Sequence, residues 1–237
     1  MTVSPFSQPL LRYKQEALDI QDLEGLVCLN LRVGTIRLFS GLYTRIDQVF
    51  ILWGLICAGI FITAQFLPIS WDTQAIWWSV LTLVGTIGMV VLTWFWASVE
   101  QVRWLVYCWV ILMLGGVVLT DLSIFLGWGE VLMRLCPLWL GLTSIGYLCT
   151  VLALRSRAFL LMALVHLLGM AVIPYFTEWQ FFATGVVMMI SLLIMAELQW
   201  DMCSSIDSHL LTPEQKLFNQ QQNQRRQLED VLKVRKS

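Results

Sequence analysis

Six apolar stretches joined by links of only a few residues constrain this chain more than any other feature in it. They cover residues 49–67, 75–97, 104–126, 135–154, 158–176 and 180–198. An α-helix rises 1.5 Å per residue, so about twenty apolar residues cross a hydrocarbon layer of roughly 30 Å. Each stretch therefore predicts a membrane-spanning helix. Links as tight as Arg155-Ser156-Arg157 and Thr177-Glu178-Trp179 leave consecutive helices no arrangement but antiparallel neighbours. The expected fold is an all-α integral membrane protein, an up-and-down bundle of six transmembrane helices over residues 49–198. An N-terminal extension, 1–48, and a polar C-terminal tail, 199–237, flank it.

Charge supplies an independent check. Only 13% of the 237 residues are charged and 58% are hydrophobic, a balance too apolar for an ordinary soluble domain. With six spans, one side holds both termini and the second and fourth links. All fifteen Lys and Arg except Arg134 fall on that side. Positive residues collect in short cytoplasmic segments, so both termini are expected in the cytoplasm of a multi-pass protein. The expected surroundings are the lipid bilayer and membrane-protein partners. A net charge of -1 and the lack of a Gly-rich phosphate loop after a strand argue against nucleic acid.

The extensions are less regular. Leu10, Leu11, Ala17, Leu18, Leu23 and Leu26 form a partial helical stripe, after which Val27, Leu29, Leu31 and Val33 alternate with Cys28, Asn30, Arg32 and Gly34 as a strand would. Helix and strand both remain open from Leu26 to Phe39. In the tail, Thr212-Pro213-Glu214-Gln215 combines an N-cap, a first-turn proline and a capping-box partner, so a helix should begin there. Its run from Asn219 to Gln227 is polar enough to read as solvated.

Tryptophans fall near both ends of the spans: Trp71, Trp77, Trp78, Trp128 and Trp179 at one boundary, and Trp53, Trp94, Trp96, Trp104 and Trp200 at the other. They read as aromatic belts at headgroup level.

Three ionisable side chains within the spans are the candidate intramembrane polar site: His166, Asp121 and Glu197. By position along its helix, Asp121 lies toward the outer boundary and Glu197 at the inner end, where headgroups or water reach them. His166 alone is near the midplane, where its ring nitrogens need protein partners. Ala163 and Gly169 share its face and let another helix approach, so the histidine should point inward and hydrogen-bond a neighbouring helix. Asp121 and Arg134 are expected to pair across the turn at Gly127 and Gly129.

The remaining chemistry is sparse. The only second histidine, His209, lies outside the spans, which disfavours a bis-histidine haem site. The six cysteines contain no C-x-x-C pair, and neither H-E-x-x-H nor a nucleophile with its base is present. No cofactor, metal or enzymatic activity is expected. The sequence points to a structural, accessory or assembly subunit of a membrane complex. The alternative is a small-solute transporter or channel with His166 near the midplane of its path.

Overall fold

The computed structural model describes residues 10–15, 17–33, 36–201 and 208–236. The chain opens with a two-residue strand, β1 (Leu11–Arg12), and a single helical turn, α1 (Ile20–Leu23). An antiparallel hairpin follows, β2 (Val27–Val33) and β3 (Ile36–Tyr43), with a register shift at Leu31/Arg32. Next come α2 (Arg45–Phe66), α3 (Trp71–Val99), α4 (Arg103–Phe125), the short α5 (Gly129–Leu132), α6 (Leu135–Leu154), α7 (Arg157–Val172) and α8 (Gln180–Glu197). Strand β4 (Gln199–Trp200) pairs with β1, and α9 (Pro213–Lys236) ends the chain.

Six of these helices are long and apolar enough to cross a membrane: α2, α3, α4, α6, α8, and α7 together with its 3₁₀ continuation Ile173–Tyr175. They fall where the six apolar stretches place them, extended by a few polar residues where caps supply the first hydrogen bonds. Thr44 begins α2 with a reciprocal capping box, its side chain accepting from Asp47 N–H while the Asp47 carboxylate accepts from Thr44 N–H at 2.8 Å. Helix α3 closes through Gln101, held left-handed at φ 59°, with Val102 N–H reaching back to Ala97 O at 2.8 Å. Pro174 sits in the 3₁₀ turn that ends α7, where it costs no interior hydrogen bond.

The spans form a ring in the order α2, α3, α4, α6, α7, α8, and the first and last spans close it against each other. Its polarity is inverted relative to a soluble bundle. Leu55, Ile87, Val91, Ile111, Leu152 and Leu168 face outward, whereas Thr82, Thr86, Thr120, Thr143, Ser144 and Thr184 are buried. Most of these hydroxyls bond back into their own helix, as Thr86 Oγ1 does to Thr82 O at 2.7 Å and Thr143 Oγ1 to Trp139 O at 2.8 Å. Ser144 crosses instead, donating to Ala163 O of α7 at 3.0 Å.

The extensions hold the short strands that the helical bundle lacks. Val27–Val33 and Ile36–Tyr43 pair as antiparallel strands, so the alternating period decides the stretch left open from Leu26 to Phe39 in favour of strand. Only Ile20–Leu23 of the helical stripe before it turns helical, because the preceding backbone is held extended: Leu11 pairs with Trp200, and Gln15 N–H donates to Gln199 Oε1 at 3.1 Å. Helix α9 starts at Pro213 as its capping signal predicts, with Gln215 N–H bonding Thr212 Oγ1 and Thr212 N–H bonding Gln215 Oε1 at 2.9 Å. Its polar run is not simply solvated. Asn219 and Gln222 are buried, and Arg226 reaches back to the N-terminal segment.

Candidate functional site

The three polar residues singled out within the spans are held separately, and no hydrogen bond or ion pair joins any two of them. His166 is fully buried on α7, with Ala163 and Gly169 buried on the same face. Its Nδ1 lies 2.8 Å from Met162 O, one turn back in its own helix. A carbonyl oxygen only accepts, so Nδ1 carries the proton. The expected bond to a neighbouring helix is thus corrected. What crosses to α6 is a ring contact, edge-on to Tyr147 with centroids 5.1 Å apart. The Nε2 atom and the Tyr147 hydroxyl are both buried without a hydrogen-bond partner.

Asp121 accepts from Ser79 Oγ of α3, with both carboxylate oxygens at 2.9 Å, and makes no ion pair with Arg134. The serine on the neighbouring span lies closer to hand than the arginine beyond α5. Glu197, exposed at the end of α8, accepts from the Tyr43 hydroxyl at 2.7 Å and so ties the hairpin to the bundle. Burial and this carboxylate push the Tyr43 hydroxyl upward in pKa.

Between α2, α3, α4, α6 and α8 lies an apolar cavity of about 160 Å³. Several of the large rings in its walls are seated on a glycine of the next helix. A Cβ on Gly85 would stand 3.2 Å from Trp53 and 2.6 Å from Ile56, and one on Gly185 would stand 2.6 Å from Phe61. Across the α4/α6 seam the seating is reciprocal. Trp139 rests on Gly116, and Trp109 rests on Gly146. Each indole N–H then donates to the threonine one turn beyond its glycine: Trp139 to Thr120 and Trp109 to Thr150, both at 3.2 Å. Those threonines bond the glycine carbonyls at 2.8 and 2.9 Å. The two spans carry the same spacing, W-x6-G-x3-T, thirty residues apart. That repeat is the signal from which sequence reading alone could have found the lock.

The tryptophans divide accordingly. Trp71, Trp77, Trp128 and Trp179 are exposed at one end, and Trp94 and Trp104 at the other, as belts would be. Trp53, Trp78, Trp96 and Trp200 turn inward instead and line the cavity. Their positions near span ends carry no mark of which way they face.

A polar cluster lies at the end where the termini meet. Asp201 closes the N-terminus of α7 from a distance in sequence, accepting from Ser156 Oγ at 2.6 Å, Arg157 N–H at 2.9 Å and Ala158 N–H at 3.0 Å. Burial alone would raise its carboxyl, but these bonds and Arg157 hold it below the ordinary carboxylate range. Asp22 goes the other way. Burial, with Asp19 and Glu100 nearby, pushes it up to about 7 against the pull of Arg226 and a hydrogen bond from Trp96. Glu100 is raised by burial, although Gln21 Nε2 donates to it at 2.8 Å. Lys14 bridges to Asp47 at 2.7 Å and lies 4.3 Å from the Tyr43 ring centre. Among the described residues, no group of three His, Cys, Asp or Glu side chains is placed to hold a metal ion.

Compared with known proteins, the chain matches no family model, no curated protein and no solved structure.

Proposed function

We propose that this multi-pass membrane protein, with both termini in the cytoplasm, serves as a structural, accessory or assembly subunit of a membrane complex. The observation that carries the reading is where its polar organisation lies. The extended polar network sits beyond the spans, where the N-terminal segment, Glu100 and α9 are hydrogen-bonded together and Asp201 caps α7, while the space between the spans is largely apolar. A solute path needs polar groups along its depth. His166, the midplane residue of the transporter alternative, does not line the cavity. The near-exclusive placement of Lys and Arg on one side supports the cytoplasmic termini.

The test separates the readings. Native gel migration of membranes solubilised in mild detergent should place the tagged 27.2 kDa chain in a larger assembly of defined composition. Removing α9 should release it while the bundle stays in the membrane. Reporter fusions after Ser98, Ser156 and Ser237 should read cytoplasmic, and those after Ser70 and Glu178 the opposite side. A lone chain that conducts solutes in proteoliposomes would establish the transporter instead.

A further inference from the structure

The cavity within the ring is drawn out along the bundle axis. Residues lining it run from Ile46 to Ala64 on α2 and from Leu135 to Leu154 on α6. At 1.5 Å per residue, each run covers roughly 27 Å of depth. The volume, about 160 Å³, is close to the roughly 150 Å³ of an engineered apolar cavity that stays dry and accepts benzene. Here the same volume is stretched into a slot.

Most polar atoms of its wall are already paired, although the buried Tyr147 hydroxyl is not. The indole N–H groups of Trp78, Trp109 and Trp139 are bonded to threonines, and the Thr93, Thr120, Thr143 and Thr150 hydroxyls are bonded to backbone carbonyls. A buried water needs two to four polar partners, and a lone Tyr147 hydroxyl does not supply them. The rings seated on Gly85, Gly116, Gly146 and Gly185 also resist collapse, because each is fixed against the backbone of the next helix. A slender apolar occupant would recover the dispersion contacts that the open slot lacks.

We propose that this slot binds a single extended hydrocarbon chain, the acyl chain of a membrane lipid. The site is independent of the subunit role above. A long narrow shape excludes compact rings, and a dry wall excludes ions and sugars. Free fatty acid and phospholipid share the chemistry that the slot recognises.

The probe is cis-parinaric acid, a linear polyene fatty acid excited by energy transfer from tryptophan, since Trp53, Trp96, Trp109 and Trp139 all line the slot. Added to the full chain in detergent, it should give a saturable signal at one equivalent. A phosphatidylcholine carrying the same chain forms the second arm, and whichever arm saturates identifies the source. Val117→Phe and, separately, Thr143→Phe project into the slot and should weaken the saturable signal about ten-fold or more, as excluding a few methylenes implies. Circular dichroism checks that each variant keeps its helices. Transfer that never saturates, or that is unchanged in a folded variant, overturns the proposal. Should neither variant fold, native mass spectrometry of the wild-type chain decides: one retained fatty acid or phospholipid supports the site, and a bare chain overturns it.

Discussion

Arg226 Nη2 donates to Asp19 Oδ2 at 3.0 Å, joining the last helix to the N-terminal segment across 207 positions, while Nη1 of the same guanidinium donates to Ala17 O at 3.0 Å. Beside it Asn219 Oδ1 accepts from Ile20 N–H at 2.8 Å, and Asn219 Nδ2 donates to Gln21 Oε1 at 3.0 Å. The segment 17–21 and α9 are therefore one folded unit. Asp19 is almost wholly buried and Arg226 nearly so. Arg226→Ala should cost on the order of 3 kcal/mol, because it strands a buried carboxylate. The Asp19→Asn/Arg226→Gln double variant should cost less. Hydrogen exchange along α9 reads both, and equal protection in wild type and Arg226→Ala would refute the clasp.

Asp22 and Asp201 give opposite pH dependences. Asp22 titrates near 7 when folded against 3.8 for the free carboxyl, so the folded state binds more protons between these values and stability falls as pH rises through that window. Asp22→Asn should abolish this loss, making the variant more stable than wild type at pH 8 and little different at pH 4. Asp201 is held below its ordinary value, so its contribution is present above that value and disappears as pH falls through the lower folded one. Asp201→Asn should remove that acid-side loss. Thermal unfolding in detergent from pH 3 to pH 8 checks both signs.

The reciprocal lock between α4 and α6 makes two separable demands. Gly146→Ala drives a methyl into the Trp109 ring and should cost about 1 to 3 kcal/mol by overpacking. Thr150→Val keeps the volume but removes the acceptor of the Trp109 indole, costing about 1 to 3 kcal/mol as a buried donor goes unbonded. Combined with Trp109→Phe, which removes that donor, the penalty of Thr150→Val should shrink. A double-mutant cycle on thermal stability provides the measurement, and full additivity would contradict the geometry.

His166 packs by ring contact rather than by a bond to another helix, and this orders its substitutions. His166→Phe retains the edge-on meeting with Tyr147 and should be milder than His166→Ala. The alanine variant opens a cavity in a fully buried site and should lose about 2 kcal/mol or more. Equal melting shifts for the two would show that the ring contact contributes nothing.

At the end of α3, Gln101 is exposed and left-handed at φ 59°. Glycine meets no steric penalty there, so Gln101→Gly should raise stability by about 1 kcal/mol. An unchanged or lowered melting temperature would count against the left-handed closure.

The spans were legible from hydropathy and length because an unbroken apolar stretch of that size satisfies its backbone only as a helix, whatever its neighbours are. The start of α9 was legible for a similarly local reason, since Thr212, Pro213 and Gln215 act within one turn. Orientation within the ring was not. A tryptophan near a span end reads the same whether it meets headgroups, like Trp94, or the interior, like Trp96, and only the packing of α2, α3, α4, α6 and α8 separates them. The polar contacts of His166 and Asp121 were assigned to the wrong partners because spacing along one helix does not say which atom of the next comes within hydrogen-bonding distance. Asn219 and Arg226 fall in the run that reads as solvated, and nothing local marks Asp201 as a cap. Their roles as helix cap and clasp arise when chain segments roughly 45 to 200 residues apart are brought together, and such long-range closures depend on the whole fold rather than on any local pattern.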